Sequence, residues 1–281
     1  MSFLKNSFTI NAPAKVNLFL KVLGKRRNGF HNIETVFQTI SLYDKIYIYP
    51  SKDFIVSCPS INQEDNLVYK GGILLMDYVK KKKGARIVLQ KNIPIASGLG
   101  GGSSDTASCL LGLNEFWDLG LSKKELKALG RMLGADVPYF IDGGTRLGEG
   151  IGTKLKKLPS IPKCYFVLVV FDFMLVTKEV YEKFKIKNSK LKIENIILAI
   201  KNGDLYGIAK NLHNDLESVV IKNHPEIEEV KNILIKEGAL NALMSGSGPT
   251  VFGIVDDKRK VERIMDKLIS SNIKALVTEP V

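Results

Sequence analysis

The sequence contains few of the residues that mark disulfide-rich or metal-binding proteins. Its 281 residues include three cysteines, three histidines and one tryptophan. Cys58, Cys109 and Cys164 are odd in number, widely spaced and set largely among apolar or small residues, so they match no disulfide framework and no metal-ligand spacing. Reduced thiols in the core of a cytoplasmic protein are therefore expected.

Long hydrophobic runs are also missing. No stretch approaches the roughly 20 apolar residues that a membrane-spanning helix needs. The N-terminal MSFLKNSFTINAPAK has no uninterrupted apolar segment of the kind found in secretory signals. We expect neither secretion nor membrane insertion, and a cytoplasmic location.

Negative charge is scarce relative to positive charge. Lys and Arg number 41 against 29 Asp and Glu, which gives a net charge of +12. Such a surplus favours acidic partners such as nucleic acid, anionic lipid or phosphorylated small molecules. Runs such as KKKK at 80–83 are more simply explained as solvated surface, so the charge supports an anionic ligand only weakly.

Strands and helices are mixed along the first half of the chain. Alternating runs with β-branched or aromatic residues predict strands at FTINA, KVNLFLKV, KIYIYP and FIVSC, and a further strand at 86–90 follows a helix at about 66–80. From Ser103 onward the apolar residues recur every three or four positions, which predicts a helix. A second helix is predicted from the capping box of Ser122 and Glu125, ending at Gly134.

A domain junction is predicted at KLKKLPSIPK, residues 154–163, which combines two prolines with a cluster of charge. This gives an N-terminal domain at 1–158 and a C-terminal domain at 159–281. The second domain begins with the strand CYFVLVVF and continues through helices, MSGSGPT, the strand VFGIV, a helix near 257–270 and a last strand near 273–278. This order indicates an α+β fold.

What the sequence does have is a glycine-rich loop, PIASGLGGGSS at 94–104, which joins the strand at 86–90 to the helix that begins near Ser103. Glycines allow close approach of backbone N–H groups, and the first N–H groups of a helix have no partner within it. Together with the helix dipole they form an anion site, so we expect phosphate binding. No lysine follows as in a Walker A loop, Ser103 replaces the third glycine of a Rossmann fingerprint, and protein-kinase H-R-D and D-F-G motifs are absent.

The form P-x-x-x-G-L-G-G-G-S-S-D resembles the second motif of the GHMP kinase superfamily. APAKVNLFLKVLGKRRNGFHNIETVFQTISLYD at 12–44, GADVPYFIDGG at 134–144, HNDLE at 213–217 and MSGSGPTVFG at 244–253 are similar, in the same order, to motifs of one branch of it. The resemblance implies a two-domain α+β fold, with an N-terminal domain like ribosomal protein S5 domain 2 and a ferredoxin-like C-terminal domain. It also implies transfer of the ATP γ-phosphate to the 2-hydroxyl of 4-diphosphocytidyl-2-C-methyl-D-erythritol, a step toward isoprenoid precursors, with Mg²⁺ accompanying ATP.

Site residues follow from the same resemblance. Asp136 matches the aspartate that acts as, or orients, the base for the substrate hydroxyl, and Lys15 matches the lysine that supports that site and the charge of the transferred group. Ser104 is a candidate Mg²⁺ ligand, with water supplying most of the coordination. The ATP-binding residues are expected to be Pro94, Ile95, Ala96, Ser97, Gly98, Leu99, Gly100, Gly101, Gly102, Ser103 and Ser104.

Substrate contacts are expected from a second set of residues. Asn17 lies two positions after Lys15, so both side chains share one face of a strand. Phe30 and His31 match an aromatic–histidine pair that holds the cytosine base, although tyrosine is commoner at the first position, so a hydroxyl contact is lost. Tyr181 resembles the second aromatic face of that clamp, with Thr177 nearby, but Tyr181 fits a core helix position equally well.

The third superfamily motif contains Gly246, Ser247 and Gly248 and is expected to lie against the nucleotide loop. Two other functions stay open from the sequence: another small-molecule GHMP kinase, such as a homoserine or mevalonate kinase, and a basic RNA-binding protein. Phe30 and His31 favour a substrate that carries a base. We expect a small-molecule partner, no nucleic acid and no membrane, with a monomer and a homodimer both open.

Overall fold

A computed structural model describes residues 7–186 and 191–281, which form a mixture of strands and helices. The strands are β1 (Phe8–Lys25), β2 (His31–Tyr49), β3 (Phe54–Ser57), β4 (Ala85–Gln90), β5 (Thr145–Gly150), β6 (Lys154–Lys157), β7 (Tyr165–Val169), β8 (His213–Asn214), β9 (Asn241–Met244), β10 (Val251–Val255) and β11 (Ala275–Thr278). The helices are α1 (Leu67–Val79), α2 (Gly101–Phe116), α3 (Lys123–Leu133), α4 (Val137–Asp142), α5 (Thr177–Lys183), α6 (Ile193–Lys201), α7 (Leu205–Lys210), α8 (Glu217–Val220), α9 (Glu226–Lys236) and α10 (Lys258–Ser270), with a short 3₁₀ helix at Gln63–Asp65. No helix within these described residues is long and apolar enough to cross a membrane.

The strands form two sheets. The first has seven strands in the order β3-β4-β2-β1-β8, with β5 paired to β2 and β6 paired to β5. It is mixed, because β3 runs parallel to β4 and β8 runs parallel to β1. The second has the order β11-β7-β10-β9 and is antiparallel throughout.

The chain divides into two compact units that interleave along the sequence. Unit 1 contains the described residues up to 14, together with 42–94 and 100–143, and unit 2 contains 15–41, 95–99 and the described residues from 144 onward. The predicted boundary after residue 158 differs from this division and stays a prediction.

In unit 1 the buried core lies between the helices and the strands. The apolar residues that predict this helix by their spacing are Ala107, Leu110, Leu113 and Trp117, and all four are buried, the last at the C-terminal cap of α2. A Cβ added at Gly112 would lie 2.1 Å from Ile10 Cδ1, so this glycine allows α2 to approach β1 closely. The predicted capping box is present at the start of α3, where the Ser122 hydroxyl accepts from the Glu125 N–H.

Unit 2 buries its core against the antiparallel sheet. Leu234 of α9 and Ile264 and Leu268 of α10 belong to one buried cluster with Val167 of β7 and Val251 of β10. The predicted helix near 257–270 and the last strand near 273–278 are confirmed as α10 and β11.

The predicted strand boundaries near the N-terminus are wrong in one respect. FTINA and KVNLFLKV were expected as separate runs, but they form the single strand β1, with Pro13 in its middle. Side-chain and loop contacts hold the strand on both sides of this proline. The Ser104 hydroxyl donates to the Pro13 carbonyl at 2.6 Å, and the Lys15 N–H donates to the Leu99 carbonyl at 3.0 Å.

None of the three cysteines forms a disulfide, as expected, and Cys109 and Cys164 are buried while Cys58 is half-buried. Burial raises the pKa of the Cys164 thiol to about 12, with a smaller contribution from Glu279. Such a thiol stays protonated and unreactive near neutral pH.

Candidate active site

The glycine-rich loop leads directly into the first turn of α2. Gly100 precedes the helix with a left-handed backbone, φ 75°, and α2 begins at Gly101. A Cβ added at Gly102 would meet nothing within 4 Å, so the space beside this first turn is open. Because the first N–H groups of a helix lack intrahelical acceptors, this end of α2 fits an anion such as a phosphate.

The two serines of this turn differ in exposure. Ser103 is half-buried, whereas Ser104 is fully buried and its hydroxyl donates to the Pro13 carbonyl at 2.6 Å. A cation at Ser104 would have to reach a buried oxygen that is already in a hydrogen bond. The described residues contain no group of three His, Cys, Asp or Glu side chains placed to hold a metal ion.

Asp136 lies close to the same end of α2. Helix α3 ends at Gly134, and a Cβ added there would lie 3.6 Å from the Ser103 hydroxyl oxygen. Asp136 caps α4, its carbonyl accepts from the Tyr139 N–H at 3.1 Å, and the residue is half-buried. Unit 1 therefore places the turn that carries the predicted base next to the predicted phosphate site.

A buried ionic cluster supports the first turns of α2, and no spacing in the sequence predicts its contacts. Lys91 forms ion pairs with Asp44 and Asp105, the latter at 2.6 Å. Asp44 also accepts from the N–H groups of Asn92 and Ile93. Burial and the neighbouring Asp44 charge outweigh Lys91 and raise the pKa of Asp105 from 3.8 to about 7.

Lys15 is the centre of a polar cluster in unit 2. It is buried, and its ammonium group donates to Asn17 Oδ1 at 2.5 Å and to the Gly98 carbonyl at 2.8 Å. Asn17 in turn donates from Nδ2 to Thr35 Oγ1 at 2.8 Å, which fixes the orientation of its amide. The expected pairing of Lys15 and Asn17 on one strand face is thus present, whereas Thr35 was missed because a threonine in a strand normally reads as structural.

The loop of the third superfamily motif, residues 244–248, packs against the polar cluster around Lys15. A Cβ added at Gly246 would lie 3.2 Å from each of three atoms, which are Lys15 Nζ, Asn17 Oδ1 and the Gly98 carbonyl oxygen. Ser245 donates from its hydroxyl to the same Gly98 carbonyl at 3.0 Å. The structure therefore brings Gly98 of the loop 94–104 and Gly246 of the loop 244–248 together around the Lys15 ammonium group.

The expected base-binding residues are only partly assembled. The rings of His31 and Tyr181 lie with centroids 5.3 Å apart, and Phe30 is 54% exposed. The pKa of His31 is lowered from its ordinary value by burial first and by Lys25 second, with Glu182 opposing, so its imidazole is neutral at pH 7. Thr177 at the start of α5 lies 2.9 Å, oxygen to oxygen, from the Ser247 hydroxyl.

The remaining loop residues have mainly structural contacts. The Ser97 carbonyl accepts from the Thr250 N–H at 3.2 Å, and Leu99 is fully buried. Ala96 has a left-handed backbone, φ 52°, and the neighbouring Ile95 is exposed. These residues shape the path of the chain before α2.

Comparison with known proteins assigns the class. The model of the GHMP kinases N terminal domain matches residues 66–144, and that of the GHMP kinases C terminal region matches residues 196–274. Homoserine kinase from Cytophaga hutchinsonii shares the fold, with a TM-score of 0.75 at 18% identity over 100% of this chain and 96% of that chain. The chain belongs to the GHMP kinase family.

Within that family, one group of relatives covers nearly the whole chain. The chain is 45% identical to the 4-diphosphocytidyl-2-C-methyl-D-erythritol kinase of Lachnoclostridium phytofermentans over 91% of its length and 90% of the relative, and 42% identical to that of Clostridioides difficile over 89% and 87%. A crystal structure of 4-(cytidine 5'-diphospho)-2C-methyl-D-erythritol kinase matches with a TM-score of 0.84 at 32% identity, covering 97% of this chain and 99% of that chain. The resemblance read from the motifs and the α+β fold class are confirmed.

Proposed function

We propose that the protein is an ATP-dependent kinase that phosphorylates the 2-hydroxyl of 4-diphosphocytidyl-2-C-methyl-D-erythritol, a step of the non-mevalonate route to isoprenoid precursors. The observation that carries this proposal is the similarity, at 40–45% identity over about nine-tenths of the chain, to kinases named for that substrate. The half-assembled base site at His31 and Tyr181 agrees with a substrate that carries a cytosine.

Asp136 is proposed as the general base. Its half-buried carboxylate sits at the turn that contacts the first turn of α2, so it can accept the proton of a hydroxyl held beside a phosphate bound there. Proton removal from the attacking hydroxyl is the one acid–base step that such a transfer requires.

Lys15 is proposed to stabilise charge on the transferred group. Its ammonium group is held by Asn17 and the Gly98 carbonyl, so it needs little reorganisation when negative charge develops nearby. Asn17 is proposed to orient the reacting hydroxyl from the same strand face.

The first-turn amides of α2 and the loop residues 94–104 are proposed to hold the ATP phosphates. ATP supplies the phosphoryl group, and Mg²⁺ bound with it neutralises charge on its β and γ oxygens. Because Ser104 is buried in a hydrogen bond to Pro13, we favour water and phosphate oxygens over this serine as the main Mg²⁺ ligands.

The cytosine is proposed to bind beside Phe30, His31 and Tyr181, with Thr177 as a further substrate contact. A neutral His31 can donate from one ring nitrogen and accept at the other, which suits the mixed edge of a pyrimidine. Exposed Phe30 offers a face for stacking. We also propose a cytoplasmic location, where free thiols such as those of this chain persist.

A coupled assay of ADP release tests the proposal. Purified protein is supplied with ATP, Mg²⁺ and, in parallel, 4-diphosphocytidyl-2-C-methyl-D-erythritol, homoserine or mevalonate. We expect turnover with the first substrate alone, and a failure to phosphorylate it would refute the proposed function. Turnover with homoserine or mevalonate would support another GHMP kinase, and tight, salt-sensitive RNA binding without ATP turnover would support the RNA-binding alternative.

A further inference from the structure

The HNDLE segment at 213–217 has no part in the chemistry described above, yet its side chains make several hydrogen bonds. Asn214 lies in β8, paired with Leu20 of β1, and is buried. Its Nδ2 donates to two backbone carbonyls, those of Met244 and Gly246, both at 2.7 Å. Its Oδ1 accepts from the Leu216 N–H at 3.0 Å. Both amide protons of Asn214 are therefore committed to one loop.

Met244 and Gly246 belong to the loop of the third superfamily motif. The other side of this loop contacts the polar cluster around Lys15. Gly246 leaves 3.2 Å between its missing Cβ and Lys15 Nζ, and Ser245 bonds the Gly98 carbonyl that also accepts from Lys15. The Asn17 N–H donates to the Ser245 hydroxyl at 3.4 Å. A shift of the Gly246 carbonyl would thus change the packing around the Lys15 ammonium.

Glu217 of the same segment reinforces this attachment. Its Oε1 accepts from the Met244 N–H at 2.9 Å, and its Oε2 is paired with Lys231 at 2.7 Å. Asn214 and Glu217 therefore hold the carbonyl and the N–H of Met244 from one side. Met244 is thus held at two atoms, and Asn214 extends the attachment to the turn by bonding the Gly246 carbonyl.

We propose that Asn214 is a positioning residue for phosphoryl transfer: it holds the Gly246 carbonyl so that the loop keeps Lys15 and Asn17 in their reactive arrangement. The inference rests on the role proposed for Lys15. A side chain that acts through such a loop changes kcat more than affinity, because a displacement of about 1 Å at reacting groups costs on the order of a hundredfold in rate.

Asn214→Asp is the sharpest test, since it keeps the shape but replaces the NH₂ group, with its two N–H donors, by one oxygen that faces two carbonyls. The matched control is Asn241→Asp in the same unit, because Asn241 also donates to a backbone carbonyl, but to that of Ala209 at 2.7 Å and not to the loop 244–248. We expect kcat to fall about 30- to 100-fold in the first variant, with KM values within about threefold of wild type. In Asn241→Asp, kcat should stay within about threefold of the wild-type value, although Tm should fall about as much as it does in Asn214→Asp.

Two readouts do not depend on turnover. Amide hydrogen exchange of residues 244–250 and acylation of Lys15 by an amine-reactive reagent, both followed by mass spectrometry, should increase in Asn214→Asp and not in Asn241→Asp. If wild-type protein lacks turnover but these differences appear, the proposed function fails and the link from Asn214 to Lys15 stands. Equal exchange, equal labelling or an equal fall of kcat in the two variants would overturn the inference. If Asn214→Asp does not fold, Asn214→Ser, which keeps one donor, should show the same effects at smaller size.

Discussion

The two glycine segments use glycine for opposite reasons. At the start of α2, Gly102 borders open space, so the absence of a side chain leaves backbone amides accessible to a ligand. In the segment 244–248, a Cβ at Gly246 would press on three polar atoms, and one at Gly248 would lie 2.5 Å from the Met244 sulfur. The second segment therefore needs glycine for close packing, and its backbone angles of φ 56° and 77° add a conformational reason.

The first segment is itself divided. Gly98, with φ 79°, is enclosed like the residues of the second segment, because a Cβ there would lie 2.2 Å from the Ser245 carbonyl oxygen. The residues up to Leu99 belong to unit 2 and those from Gly100 belong to unit 1. A single run of glycines thus contributes one enclosed residue to the Lys15 cluster and open amides to the α2 terminus.

The largest effect is expected at Asp136, beside the open glycines. Asp136→Asn keeps size and capping position but removes the base, so kcat should fall about a thousandfold or more while KM for the substrate changes little. Steady-state ADP release and substrate titration by calorimetry check this. Unchanged turnover would mean that the open end of α2 does not face the chemistry.

Gly98→Ala tests whether the enclosed glycines are required for close packing. The added methyl group would meet backbone rather than a flexible side chain, and alanine is disfavoured at positive φ. The strain and the overpacking together should lower the free energy of unfolding by about 3 kcal/mol. Urea denaturation monitors the change, and a loss below about 1 kcal/mol would show that the Ser245 carbonyl can move aside.

The sequence predicts the elements better than the site. Periodicity and caps were sufficient for α1, α2, α3 and α10, because these signals are local. The clustering of Lys15 with Gly98 and Gly246 depends on contacts between residues up to 231 positions apart in the chain, which no spacing rule contains. Only the resemblance to known motifs suggested that these segments serve one reaction.

The supporting residues were missed for a related reason. Asp44 and Asp105 stand at the ends of two separate motifs and Lys91 outside both, and no spacing in the sequence predicts that the three form one buried cluster. Likewise HNDLE was recognised as a motif, but the bonds from Asn214 to Met244 and Gly246 follow from the fold. Buried polar contacts between distant segments leave no periodic trace.

The titration of Asp105 tests whether buried charges stabilise the first turns of α2. The charged groups that face it are Lys91 and Asp44, the thiol of Cys109 lies one turn further along α2, and Asp105 Oδ1 has no hydrogen-bond partner among the described residues. Because its pKa is raised to about 7 in the folded state, the folded protein binds more protons than the unfolded chain between pH 4 and 7. Stability from this group is therefore lost as the pH rises through 7.

Wild-type protein should thus lose on the order of 3 kcal/mol of unfolding free energy through Asp105 between pH 5 and pH 8. Asp105→Asn should remove this part of the pH dependence, and Lys91→Met should steepen it, because two carboxylates then lack their cation. Urea titrations at several pH values measure the slopes. Identical slopes in wild type and Asp105→Asn would contradict the raised pKa.

Gly102→Ala should give the smallest effect and one of opposite sign to Gly98→Ala. The site has room for a methyl group, Gly102 has no positive φ, and alanine favours a helix over glycine by about 0.5–1 kcal/mol, so stability should rise by about that amount. If the amides of this turn bind the ATP phosphates, the same methyl group should hinder their approach and raise KM for ATP several-fold without changing KM for the second substrate. Gly98→Ala is expected to lose stability through overpacking and strain, and Gly102→Ala to gain it through helix propensity, so stability changes of the same sign in the two variants would contradict the distinction between enclosed and open glycines.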